Sequence, residues 1–464
     1  KTSCVYACVK SSKKMECPLL ESSSDNKPLS WRWFAPISQG SLRMTVLFLI
    51  TSATGPGITS MPYTLYTSGV SGGIVMLTFA CWTLYQSIFM TGVCYKIRGY
   101  DRFAQMVNYI GGSAFEFFVL LTMTLSVALT IALPNLIIAE MLGQFFYLSG
   151  ILEFQAEEYN RSTDPFCIWT IIILSLIQLR MYSTTPTPAE MKRHTILSVV
   201  CLAFTILVFC AELPAYISKY WEWKDFNFWL DITEKTPRDL SVYMFSFTVS
   251  GNTIIAVDHL RNPTTRRIKK VSLFTNLGLS AIYIPIALLG YLSTLEKTPP
   301  IVMNRPTIAG ISTWPMQTAR FSLILCLNTA NISSYASLRA SICQLRQGIS
   351  ERFLKREKEV DLEDSREGEE GFDSKGHLTQ DVITVAALAL LAIYISNILT
   401  IISLVGGFAS IMVLCIPIYA GLKAQGVLWK RNFSLHTLLV FNIIFAIYTV
   451  IFDVLVLAGI CDEQ

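Results

Sequence analysis

Charge is what this sequence has least of. Asp, Glu, Lys and Arg make up 15% of its 464 residues, against about 25% in soluble domains, and over so long a chain the deficit excludes an ordinary water-solvated enzyme. Histidine is rarer still, with 4 residues, and the 12 cysteines show neither CxxC nor Cys/His ligand spacing. They are too sparse for a disulfide scaffold, so most are expected to pack as small apolar groups, with only a Cys167–Cys461 pairing left open. No nucleophile stands beside a base, no carboxylates pair and no Walker loop occurs, so no catalytic residue, metal site or cofactor site is expected. The net charge of +4 is too small to suggest a nucleic-acid partner. What is abundant is hydrocarbon: 52% of residues are hydrophobic and the mean hydropathy is +0.47. The solvent is therefore lipid, and roughly eleven spans of about 21 residues would use half the chain.

Apolar runs predict spans near residues 42–67, 71–95, 112–138, 166–184, 194–217, 239–260, 271–293, 317–344, 380–398, 400–422 and 434–460. Residues 1–40 hold no such run, so the first span is expected to direct insertion itself. An odd count puts the termini on opposite sides, and the cations decide which is which. Lys96, Arg98 and Arg102 follow the second span. Arg180, Lys192 and Arg193 lie after the fourth, Arg261, Arg266, Arg267, Lys269 and Lys270 after the sixth, and Lys423, Lys430 and Arg431 after the tenth. These loops share one face, which the positive-inside rule makes cytosolic, so the N-terminus is expected inside and the C-terminus outside or in a lumen. The opposite face then carries the aromatic segment Tyr220 to Leu230 and the sequon Asn160-Arg161-Ser162, the one topologically usable glycosylation site. Residues 348–378 are densely charged and read as a solvated cytosolic linker, with a regulatory partner as the alternative use.

Two spans carry breaks. The first reads Thr51-Ser52-Ala53-Thr54-Gly55-Pro56-Gly57-Ile58-Thr59. Two glycines flank a proline that lacks an N–H, so the helix should open near Thr54 to Gly57. Opened backbone in lipid costs several kcal/mol per unsatisfied group unless it faces protein, water or a ligand. The following half-helix would present free N–H groups and a positive dipole end to an anion such as a carboxylate. The sixth span has a second break, Phe245-Ser246-Phe247-Thr248-Val249-Ser250-Gly251-Asn252. If spans one to five and six to ten form two halves, both breaks fall in the opening helix of a half. Corresponding broken helices point to an inverted-repeat transporter with its site near the midplane.

With these residues in view, the chain resembles the amino acid/auxin permease family, which includes the sodium-coupled neutral amino acid transporters. Gly55-Pro56-Gly57-Ile58 followed by Pro62 is similar to that family's first span. Phe245-Ser246-Phe247 leading to Leu260-Arg261-Asn262-Pro263 is similar to its sixth, Ile402 to Gly407 with Ile416-Pro417 to its tenth, and Arg339 to a recurrent arginine in its eighth. The resemblance implies an all-α integral membrane protein with about eleven transmembrane helices, a LeuT-like 5+5 inverted repeat plus one extra helix, and helices one and six broken. Residues 1–41 would form a cytosolic N-terminal segment, 42–217 the first repeat, 218–238 an outer loop, 239–425 the second repeat and 434–460 the last helix. The sequence departs from the sodium-coupled members at Thr51, where Asn is frequent, and at Ser250 and Asn252, where His and Glu are common.

A midplane site for an amino acid needs donors for the carboxylate, acceptors for the ammonium and a wall for the side chain. Thr54, Gly55, Pro56, Gly57, Ile58 and Thr59 would supply the first two, with carbonyls near Phe245 to Thr248; Phe245 and Phe247 would form walls, and Ser250 and Asn252 would face the cavity. Oxygens of Thr51, Thr54, Thr329, Asn331, Ser333 and Ser334 are the candidate ligands for a hard cation. The expectation is a monomeric secondary transporter of small or neutral amino acids or related amines, coupled to Na+ or H+, in a vacuolar, lysosomal or plasma membrane. The rival reading is an amino-acid-sensing receptor with little transport and a cytosolic partner.

Overall fold

The breaks expected from Gly and Pro organise the structure, a computed structural model that describes residues 40–100, 102–148, 165–183, 192–222, 226–233, 235–249, 252–306, 308, 313–354, 374–395, 397–426 and 433–458. Among the described residues every regular element is helical. The first span is split into α1 (Leu42–Ala53) and the opening turns of α2 (Gly57–Arg98). Gly69, at φ 74°, then turns the chain inside α2, so its remainder is the second span. A Cβ at Gly69 would run into the Trp229 carbonyl, and the turn is held by Val70 N–H to Asn227 O (3.1 Å), Ser71 N–H to Phe228 O (2.9 Å) and Asp231 N–H to Ser68 O (3.2 Å). The aromatic segment after the fifth span therefore lies on this turn.

Then follow α3 (Phe103–Leu148), α4 (Pro165–Ser183) and α5 (Lys192–Tyr220). The sixth span is split into α6 (Thr236–Ser246) and α7 (Asn252–Asp258), and α8 (Thr265–Thr294), α9 (Trp314–Leu354) and α10 (Ser374–Tyr394) come next. In the tenth span α11 (Ile398–Ala409) passes through a π-helical turn, Ser410–Cys415, into α12 (Ile416–Gln425), and α13 (Phe433–Leu457) closes the described chain. Long apolar helices and shorter apolar ones together make this a multi-pass membrane protein. The split helices lie at its centre: α1 packs on α5, α7, α8 and α9, while α6 packs on α2 and α11. By contrast α13 is peripheral, with 28% of its most apolar stretch buried against 78% for the α11–α12 run.

Charge clusters at the end remote from the basic loops. Arg305, buried, pairs with Glu212 and is stacked between the rings of Phe209 (4.6 Å) and Tyr216 (4.2 Å). Tyr216 Oη donates to Pro306 O at 2.9 Å, Asn304 Nδ2 to Glu140 Oε1 at 2.6 Å, and Arg320 Nη2 to Met303 O at 2.7 Å. The α8–α9 connection is thus fastened to α3, α5 and α9. Glu140 and Glu212, acids in an otherwise apolar setting, are both engaged in this fastening.

Several expectations fall on residues outside those described. These are Ser250 and Gly251, the Asn160 sequon, Cys461, Lys430 and Arg431, residues 1–39, and 355–373 of the charged linker. Residues 348–354 continue α9 as helix.

Candidate functional site

The first break is a consequence of Pro56. Thr54 N–H still reaches Ile50 O (3.1 Å), but Gly55 N–H turns back to Ala53 O (2.8 Å) and the ladder stops. Proline cannot donate, and α2 starts at Gly57 with no side chain capping it. Ile58 N–H reaches Gly55 O only at 3.4 Å and Thr59 N–H reaches Pro56 O at 3.1 Å. The positive end of α2 therefore opens at the break, where an anion is favoured. Thr54, Ile58 and Thr59 are buried, yet a Cβ on Gly55 would meet nothing nearer than Ala53 O at 3.9 Å. Room thus borders the unwound backbone.

The second break follows Ser246. Phe247 N–H reaches Tyr243 O (3.1 Å), Thr248 N–H reaches Phe245 O (3.0 Å), and the helix resumes at Asn252, whose N–H reaches Val249 O (3.2 Å). Asn252 is 1% exposed, and among the described residues neither its Oδ1 nor its Nδ2 has a hydrogen-bond partner. A buried amide without partners costs about 1–3 kcal/mol. An asparagine bearing that cost beside an opened helix is chemically equipped to donate to, and accept from, a polar ligand.

Gly57 brings the two breaks together. A Cβ there would collide with Ser246 Oγ and lie 3.0 Å from Phe245 Cδ1, so only glycine lets the start of α2 approach the end of α6. Gly406 of α11 serves the same purpose from the other side, lying against the Ser241 carbonyl and Phe245. Phe247 has no exposure and meets the Tyr283 ring edge-on at 5.1 Å. Tyr283, on α8, lies at the junction: its Oη is 2.9 Å from Ala53 O and 3.0 Å from Ser246 O.

The hydroxyls named for cation binding are turned to their own helices. Thr51 Oγ1 donates to Leu47 O (3.0 Å), Thr54 Oγ1 to Ile50 O (2.8 Å), Thr329 Oγ1 to Leu325 O (2.9 Å) and Ser333 Oγ to Ala330 O (2.8 Å). Such bonds use the proton and leave oxygen lone pairs. Asn331 instead donates to Asn135 Oδ1 (3.0 Å), in a buried amide network with Gln178 and Asn328 that joins α3, α4 and α9. Ser334 is buried. Thr59 Oγ1 and Thr248 Oγ1 likewise bond back, to Pro56 O and Met244 O, each at 2.7 Å. Among the described residues no three His, Cys, Asp or Glu side chains gather as metal ligands.

Sequence reasoning missed Tyr283, Asp239 and Asp381. Buried Asp239 of α6 accepts from Thr67 Oγ1 of α2 at 2.7 Å. Asp381 of α10 accepts from Tyr335 Oη at 2.7 Å and faces Arg339 Nε at 3.8 Å. A tyrosine within an apolar run, or an aspartate at its margin, carries no local mark of such pairing. The one available signal was the unexpected charge of Asp239 and Asp381 at predicted span starts.

Comparison with known proteins bears on the family and the fold. The family model described as "Transmembrane amino acid transporter protein" matches residues 38–461. A putative amino acid transporter of Toxoplasma gondii is 26% identical over 284 residues, covering 59% of this chain and 36% of that protein. One of Plasmodium berghei is 22% identical over 291 residues, covering 60% and 44%. The matched part therefore spans less than half the length of these curated relatives. Among solved structures, MhsT in complex with L-phenylalanine superposes with a TM-score of 0.55 at 13% identity, covering 89% of this chain and 99% of that one. The manganese transporter of Eremococcus coleocola gives 0.50 at 12% identity, covering 94% and 90%. At such identities the likeness speaks for the LeuT-like fold alone. With the family model enclosing every described helix, the chain belongs to the transmembrane amino acid transporter family.

Proposed function

We propose that this protein is a secondary active transporter that carries small or neutral amino acids, or related amines, across its membrane by alternating access, with Na+ or H+ as the coupling ion. The observation that carries the reading is the meeting of two opened helices beside a buried, unpartnered Asn252. The substrate carboxylate would sit at the α2 N-terminus near Gly55, Gly57 and Ile58. Its ammonium would face carbonyls at the end of α6, with Asn252 and the Thr54, Thr59 and Thr248 oxygens beside it. Phe245 and Phe247 would wall the side chain. A cation would draw on the lone pairs of Thr51, Thr54, Thr329, Ser333 and Ser334. Binding alone does not move a substrate; transport needs a different affinity in each of two arrangements of the half-helices. The names of the two parasite relatives and the phenylalanine bound by MhsT support an amino acid as cargo.

The test is uptake of labelled amino acids into proteoliposomes under an imposed sodium or proton gradient. Uptake is expected under one gradient and is expected to fall at least tenfold in Gly57→Leu, whose side chain would push Ser246 away. If neither gradient drives uptake while amino acids still raise the melting temperature, the protein binds without carrying and the receptor reading replaces this one.

A further inference from the structure

The four half-helices are fastened in two pairs, each at the end away from the breaks. Near the basic loops, Arg261 N–H donates to Gly40 O at 3.0 Å, joining the start of α1 to the turn after α7. Gly40 is at φ 68°, and a Cβ there would strike Arg261 Cγ and His259 O at 2.8 Å, so the two chains touch directly. At the opposite end, Thr67 Oγ1 donates to Asp239 Oδ2, and the segment leading to α6 is hydrogen-bonded across the Gly69 turn. Hence α1 is coupled to α7, and the opening turns of α2 to α6.

The Tyr283 hydroxyl connects one pair with the other. Its two carbonyl neighbours are Ala53, the last residue of α1, and Ser246, the last residue of α6. Both are helix C-terminal carbonyls at the negative end of a dipole; Ala53 O also accepts Gly55 N–H at 2.8 Å and, having two lone pairs, can take the phenol as well. A phenol has one proton to give, so at 2.9 and 3.0 Å it is shared between the two ends or transferred from one to the other by a small rotation about C–O. The ring itself is held. Tyr283 has no exposure, its edge meets Phe247, and α8 packs along α1, α2 and α5. A fixed donor with two competing acceptors on separately fastened pairs is a register point between them.

We propose that Tyr283 is a positioning residue for transport, its hydroxyl fixing the spacing of the two half-helix ends by donating to Ala53 O in one arrangement of the pairs and to Ser246 O in the other. This rests on the transport reading for its purpose, though not for its test. Tyr283→Phe keeps the ring and deletes only the donor. In the purified full chain, amide hydrogen exchange in segments 51–58 and 245–252 is expected to rise together by roughly fivefold to tenfold, the loss of about one hydrogen bond. Exchange in α9 is expected to stay unchanged. For an amino acid the unaltered protein takes up, Vmax is expected to change about fivefold or more while KM stays within about twofold, because the donor acts on the spacing of the halves rather than on the cargo. Installing 3-fluorotyrosine at position 283, which restores an O–H on the same ring, is expected to return both readouts and guards against a folding defect of the phenylalanine variant. A rise confined to one segment, no rise in either, or a parallel loss of affinity and rate overturns the proposal. If the unaltered protein takes up nothing, the transport reading falls, while paired exchange at the two breaks still decides whether Tyr283 couples them.

Discussion

At the scale of a residue, the proposed site rests most heavily on Asn252. Its side chain is buried and both polar atoms lack partners among the described residues, which costs stability and, under the transport reading, is offset when a ligand arrives. Asn252→Leu, similar in volume, is therefore expected to keep or raise the melting temperature measured without substrate, while uptake weakens about tenfold or more, equivalent to about 1.4 kcal/mol of lost binding. A lower melting temperature with unaltered uptake would make Asn252 a structural residue instead. Sequence reasoning found Asn252 because it stands beside a glycine in an apolar span, a purely local mark. It did not find Tyr283, whose partner Ala53 lies 230 residues away, since a tyrosine in an apolar helix looks the same whether it packs or bridges. The Thr and Ser oxygens set aside for a cation were legible as polar, but the return of their protons to the preceding turn was not, because it depends on the rotamer and not on the residue type.

The glycines decide matters at the scale of elements, and they do so for different reasons. Gly112 stands at φ 75° within α3, and a Cβ added there would meet nothing within 4 Å. Gly69 has nearly the same backbone angle, but its Cβ would enter the Trp229 carbonyl. Gly112→Ala is thus expected to cost about 1–3 kcal/mol, the penalty of an extended positive-φ backbone alone. Gly69→Ala adds a clash with main chain and is expected to cost about 2–4 kcal/mol in total. Melting of the two variants in one detergent compares them, and equal shifts would show that the aromatic segment yields freely. Hydropathy placed span limits near 67 and 71, on either side of Gly69, and one near 112, where the backbone breaks at Gly112. It overlooked the helical turns from Phe103 to Gly111, which are too short to cross a bilayer. Those turns end where Lys423 Nζ donates to Tyr109 O (2.7 Å) and Ile110 O (3.2 Å), a contact made across 314 residues for Tyr109. The π-helical turn at Ser410–Cys415, within which Val413 O accepts from Ser87 Oγ at 2.9 Å, was equally hidden, since no residue in the run announces it.

For the whole molecule, orientation in the membrane rests on the placement of cations. The positive-inside rule predicts that the face of the basic loops is cytosolic, and on that prediction an Asn-X-Ser acceptor introduced within 226–233 is expected to gain a glycan in a eukaryotic host, and one within 259–264 is expected to remain bare. A gel-mobility shift reads both, and the opposite pattern would invert the topology. Sequence by itself determined the solvent, the helical architecture and the two places where helices open, because hydrophobicity, proline's missing donor and glycine's missing Cβ act within a few neighbouring residues. The tertiary structure alone decided that Gly57 lies against Ser246, that Arg305 answers Glu212, and that one phenol stands between two helix ends. Hydrogen bonds and close approaches of that kind join positions remote along the chain, and they exist only once packing has brought those positions within about 3 Å.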